Sequence, residues 1–174
     1  MVIAAVRNNE DFEIAIKSKV KIIFDLAPDI AEIGDKIKKA HSAQKILFAH
    51  IDLATGIGKD KSGIEFLKNL GLDGILSTKA GMIKTAKELG LKAVQRFFII
   101  DSKSVTATVE GIKSTKADMI EVMPALVFRV IKRLKAEVDV PIIAGGLVET
   151  AEDVAAACDS GAFAVSTGKR DLWI

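Results

Sequence analysis

The sequence predicts a compact (β/α)8 barrel with a truncated last helix, a TIM-barrel-like fold. Three observations predict it: eight short apolar runs rich in β-branched residues, helical periodicity in nearly every gap between them, and glycine-rich tips on the last two runs. Strict alternation of strand and helix requires parallel neighbours joined by right-handed crossovers, and so a parallel sheet with helices packed outside it. A doubly wound sheet normally has five or six strands and places its phosphate loop after the first, whereas here the glycine tips come last. A leucine-rich repeat of this period would show an L-x-x-L-x-L pattern, which is absent.

In chain order the strand candidates are VIAAV (2–6), VKIIFDL (20–26), ILFAHID (46–52), DGILST (73–78), KAVQRFFII (92–100), ADMIEVM (117–123), PIIAGG (141–146) and AFAVST (162–167). Their centres recur about every 23 residues, the length of one strand-loop-helix unit. The helix in MIKTAKELG puts Met82, Ile83, Ala86 and Leu89 on one face and turns Lys84, Lys87 and Glu88 away from it. Gly90 stands at its left-handed terminator position. In SGIEFLKNLG, Ser62 and Glu65 have capping-box spacing and Gly71 follows the helix. Gly161 closes the helix expected over 149–159 in the same way. After Gly168 only KRDLWI remains, so the eighth helix is a single turn that Trp173 is placed to pin.

The totals fit one domain over residues 1–174: nearly half the chain is apolar, the net charge is +2, and no linker or low-complexity tract interrupts it. No apolar run approaches the roughly 20 residues that span a bilayer, and the start lacks a signal-peptide pattern, so no membrane partner and a cytoplasmic location are the expectations. The single Cys158 lies among small apolar residues and reads as a core thiol.

In such a barrel the loops after strands seven and eight commonly bind phosphate through backbone N–H groups, because a glycine lets the anion approach the amides. Gly145, Gly146, Ser166, Thr167 and Gly168 are therefore the predicted phosphate cradle. The two hydroxyls would serve as extra donors, and a helix starting near Lys169 would turn its positive end to the anion. Polar residues at the other strand ends are expected to line the same mouth: Asp25, His50, Asp52, Lys79, Arg96 and Glu121, with Ser77 and Gln95 nearby. Glu121 and Arg96 interrupt apolar strands, so each needs a partner: the other, Lys79, or a ligand. His50 and Asp52, two apart, would share one face of a strand and bind hydroxyls; with no third ligand nearby they predict no metal, and no cofactor is called for.

The segments HIDLATGIGKD, GILSTKAGMIKTAKELGL, AVQRFFIIDS, IEVMPAL, VPIIAGGL and AVSTGKRDLW, in this order, resemble the glycerol uptake operon antiterminator regulatory proteins of bacteria, over essentially the whole chain. IFDLAPDI departs from the family pattern, which carries a glycine-containing loop there. The resemblance implies a sensor and regulator and no enzyme: a barrel that responds to glycerol 3-phosphate and binds the leader of messenger RNA for glycerol-utilisation genes. It is compatible with a homo-oligomer. Basic residues group at Arg129, Lys132, Arg133 and Lys135 and around Lys36, Lys38, Lys39 and Lys45, patterns that solvated helix faces also produce. The alternative reading is an isomerase or lyase acting on a small phosphorylated polyol or sugar, with His50 or Glu121 as acid-base and Lys79 or Arg96 as electrostatic partner.

Overall fold

The computed structural model describes residues 1–174, and its eight strands close on themselves in sequence order. They are β1 (Val2–Val6), β2 (Ile22–Asp25), β3 (Ile46–His50), β4 (Gly74–Ser77), β5 (Lys92–Phe98), β6 (Met119–Met123), β7 (Ile142–Gly145) and β8 (Ala164–Thr167). All neighbours are parallel, and β8 returns to β1 with Ile3 opposite Ser166. Seven helices pack outside: α1 (Asn9–Lys17), α2 (Ile33–Ser42), α3 (Lys61–Asn69), α4 (Ala80–Glu88), α5 (Ser102–Thr115), α6 (Phe128–Glu137) and α7 (Ala151–Asp159). None is long and apolar enough to cross a membrane.

Alternation along the strands divides the core into an inside and an outside. Ile3, Phe24, Phe48, Leu76, Val94, Ile143 and Ala164 fill the barrel, while their neighbours Ile23, Leu47, Ile75 and Ala93 meet the helices. The interior is tight. Phe24 and Phe48 meet edge to face at 5.5 Å, and Gly74 makes the room, since a Cβ there would stand 2.4 Å from the Phe48 ring.

Helix ends follow local chemistry, with one change from expectation. The cap of α3 is Asp60, whose Oδ1 accepts from Gly63 N at 2.9 Å, so the box expected between Ser62 and Glu65 does not form. Gly71, Gly90 and Gly161 take positive φ after their helices, as the sequence predicts. Cys158 is half-buried against the outer core.

Where an eighth helix would sit, the chain makes a 3-10 turn at Arg170–Leu172. Trp173 then folds under the barrel edge, 2% exposed, and donates its indole N–H to Thr167 O at 2.9 Å. Arg170 reaches across to α1, with Nη1 on Glu10 and Nε on Asp11, both at 2.7 Å. Replacing Trp173 by Ala removes a large buried ring and leaves Thr167 O without that donor, so chemical denaturation should show a loss of about 3–5 kcal/mol.

Candidate functional site

At the carboxyl ends of the strands a cavity of about 390 Å³ opens between β1, β5, β6, β7 and β8. Its floor is polar. Arg96 and Glu121 are register partners on β5 and β6, and Arg96 Nε donates to Glu121 Oε2 at 2.5 Å. The other carboxylate oxygen, Oε1, accepts from Ser166 Oγ of β8, also at 2.5 Å. All three are buried, Glu121 to 1% exposure. They converge beneath Gly145, where a Cβ would stand 2.5 Å from Glu121 Oε1 and 2.7 Å from Ser166 Oγ. Gly145 thus makes room for the polar cluster and does not itself line the cavity.

The wall is the β7–α7 loop and the end of β8. Gly146 and Leu147 both take positive φ, +78° and +60°, which bends the chain around the opening. The backbone N–H groups of Gly146, Leu147, Val148 and Gly168, all cavity-lining residues, donate to no protein acceptor. Arg7 and Lys169 stand at the rim, exposed and without a carboxylate partner. The Arg96 guanidinium uses Nε on Glu121 and has no protein acceptor at Nη1 or Nη2.

Two expected donors are already committed. Ser166 gives its hydroxyl proton to Glu121, and Thr167 gives its own to Val148 O at 2.9 Å, tying the β7–α7 loop to β8. Lys169 N is likewise taken, by Thr167 Oγ1 at 3.0 Å. The three-residue turn at Arg170 is too short to supply the dipole expected of a helix there.

Of the remaining predicted mouth residues, Arg96 and Glu121 meet in the cavity and the rest do not line it. Asp25 faces outward, because Phe24 and Leu26 on either side of it point into the barrel; its Oδ2 pairs with Lys36 Nζ of α2 at 3.0 Å. Gln95 also turns outward, accepting from Thr115 Oγ1 at 2.6 Å. Lys79 is exposed at the start of α4 with no partner for its ammonium. The strand expected to carry both His50 and Asp52 ends at His50, and Asp52 sits on the 3-10 turn Ile51–Leu53. Asp52 accepts from Ser77 Oγ, Thr78 N and Thr78 Oγ1 at 2.5, 2.7 and 2.7 Å, fastening the β4–α4 loop. Burial works to raise its pKa, but these hydrogen bonds outweigh it and hold the carboxyl below its usual range.

His50 shares the inward parity of Phe48 and is buried with both ring nitrogens unpartnered. Burial, reinforced by the charges of Arg96 and Arg7 against a smaller opposing pull from Asp52, lowers its pKa from 6.5 to about 4, so the imidazole is neutral at pH 7.

The basic grouping expected around α2 dissolves: Lys36 is the buried partner of Asp25, Lys39 pairs with Glu13, and Lys45 Nζ donates to Ser18 O and Val20 O, both at 2.6 Å. On α6, Arg129, Lys132, Arg133 and Lys135 remain exposed, with Arg133 held by Glu137 at 2.7 Å. No cluster of three or more metal-ligating side chains forms.

Fold and site together define a small (β/α)8 barrel with a charged, donor-rich cavity at the mouth. Residues 2–173 match the model of the glycerol-3-phosphate responsive antiterminators, and the chain belongs to that family. It is 33% identical to the glycerol uptake operon antiterminator regulatory protein of Listeria monocytogenes strain 4b F2365, with a TM-score of 0.93 over 99% of this chain and 94% of the other. A glycerol uptake operon antiterminator-related protein of Thermotoga maritima MSB8 superposes with a TM-score of 0.85 at 32% identity, over 99% and 96% of the two chains. The uncharacterised protein YgcP of Escherichia coli K12 is 36% identical over 99% of this chain and 91% of its own length.

Two outcomes follow from this geometry. Gly145→Ala should destabilise the fold by about 1–3 kcal/mol in urea titration, because the added methyl overlaps two buried polar atoms on a strand. For His50 the folded pKa lies below the unfolded one, so the unfolded state binds the extra proton and stability falls as pH drops from 6.5 toward 4. Spread over that window the loss is about 3 kcal/mol, and His50→Leu should flatten that part of the stability-pH curve.

Proposed function

We propose that this protein is a glycerol 3-phosphate-responsive antiterminator, holding the phosphate at the mouth of the barrel and binding leader RNA of glycerol-utilisation genes in the ligand-bound state. The observation that carries the ligand half is the set of unpaired N–H groups at Gly146, Leu147, Val148 and Gly168, arranged around one cavity with Arg7 and Lys169 at its rim. Backbone donors left without acceptors are uncommon, and a group of them beside unpaired cations suits a dianionic phosphate. Gly145, Ser166 and Thr167 serve this cradle indirectly: the first makes room for the floor, and the hydroxyls fix Glu121 and the loop.

The RNA half rests on the family, whose regulators respond to this ligand. Membership of that family favours the sensor over an isomerase or lyase. The exposed basic residues of α6 are compatible with contact to an RNA backbone and equally with a solvated helix face. For the ligand to control RNA binding it has to bind the RNA-competent state more tightly than the other.

Thermal unfolding with glycerol 3-phosphate, glycerol and inorganic phosphate in parallel tests the ligand. At a hundred times its Kd a ligand stabilises by about 2.7 kcal/mol, which raises the midpoint of a chain this size by about 5–10 °C. Glycerol 3-phosphate should exceed both controls, and gel-shift of a leader transcript should then depend on it. Gly168→Val provides the control on position: a Cβ there meets only Ala5 O at an ordinary 3.5 Å, so the fold should persist while the side chain occupies the cradle. Unchanged ligand affinity in this variant would remove the cradle from the proposal.

A further inference from the structure

A phosphate site has little use for a buried carboxylate, yet Glu121 is 1% exposed and lines the same cavity as the free amides. Each of its oxygens takes one hydrogen bond, from Arg96 Nε and from Ser166 Oγ. An ionised carboxylate offers about four acceptor positions, so about two remain. Beside them the Arg96 guanidinium has Nη1 and Nη2 without protein acceptors. The strand register holds this acceptor and this donor together, since Arg96 and Glu121 are directly paired across β5 and β6.

We infer that the Arg96–Glu121 pair is the specificity determinant of the ligand site, reading an alcohol at the end of the ligand away from the phosphate. The inference rests on the cavity being a phosphate site and deepens it. A hydroxyl is donor and acceptor at once: its proton goes to Glu121 and its oxygen accepts from Arg96. A carbonyl oxygen at that position can accept from Arg96 but leaves the remaining acceptor positions of Glu121 unfilled. A carboxylate there brings a second negative charge against Glu121. The phosphate, repelled by Glu121, is oriented toward the free amides of Gly146, Leu147, Val148 and Gly168 that line the cavity wall. The cavity therefore selects a phosphorylated polyol over analogues that lack that terminal hydroxyl or carry it oxidised, because a site built to bond a hydroxyl strongly rejects analogues that cannot supply it.

Calorimetric titration of the full chain with glycerol 3-phosphate, propane-1,2-diol 1-phosphate (which lacks the terminal hydroxyl), 3-phosphoglycerate and inorganic phosphate tests this. Glycerol 3-phosphate should bind at least about 10-fold more tightly than propane-1,2-diol 1-phosphate and about 100-fold more tightly than 3-phosphoglycerate. Glu121→Gln, its fold checked by circular dichroism, should bring 3-phosphoglycerate to within about 10-fold of glycerol 3-phosphate, since the amide removes the repelling charge; inorganic phosphate should bind it at least as well as it binds the wild type. Equal binding of the three esters by the wild-type protein overturns the Glu121 inference and leaves the phosphate site standing. Retention of the full discrimination in a folded Glu121→Gln variant overturns it too. If no phosphate compound binds the wild type, the phosphate reading fails and this one with it.

Discussion

Closure of the sheet between β8 and β1 is the constraint on which the rest depends. Once eight strands share one ring, every side chain faces either the barrel or the helices, and a polar residue has no third option. This explains why Asp25 and Glu121, both acidic residues at or near strand ends, lead different lives. Asp25 lies between two inward side chains and must find a cation on α2, which Lys36 supplies. Glu121 has inward parity and must find its cation within the barrel, which Arg96 supplies. The same closure has to be sealed without an eighth helix. The hydrogen bond from Trp173 to Thr167 O and the ion pairs from Arg170 to α1 do this.

The buried Arg96–Glu121 pair is poorly explained by stability. Taking two charges out of water costs several kcal/mol for each ion, and an apolar pair of similar volume often serves a core as well or better. Below it the barrel is filled with apolar side chains, and His50, with two unpartnered nitrogens, adds to the polar burden of the mouth. Unsatisfied buried groups of this kind concentrate where a protein uses them. The glycine at 145 fits the same view, because it is the absence of a side chain on β7 that lets carboxylate and Ser166 hydroxyl meet.

Much of this was legible in the sequence, and the rest failed for identifiable reasons. The eight strands, their parallel order, the glycine terminators and the single-turn ending follow from period and punctuation, which are local signals. The pairing of Arg96 with Glu121 was among the stated options because two charges interrupting neighbouring apolar strands need one another. Asp25 was misplaced although alternation could have found it: Phe24 and Leu26 are both large and apolar, so the residue between them faces the other way. Asp52 was misplaced because a strand was carried two residues too far, into a 3-10 turn. The commitment of the Ser166 and Thr167 hydroxyls, and the free amide of Leu147, have no sequence signature. They depend on which acceptors the closed barrel brings near.

The groups around the cavity differ in how firmly they are held, and that difference bears on how a ligand could be sensed. Arg96, Glu121 and Ser166 are on strands, buried and mutually bonded, so they form a surface that is in place before any ligand arrives. The amides of Gly146, Leu147 and Val148 belong to a loop whose attachment to β8 is the single bond from Thr167 Oγ1 to Val148 O. A ligand can shift an equilibrium only by interacting differently with the two states. Under the proposed function, a floor held on strands would offer the same contacts in both; the loop amides do not have to. Under the proposed function, selectivity falls to the strands and response to the loop, and Leu147 joins the loop to the surface, lining the cavity while its side chain is 68% exposed.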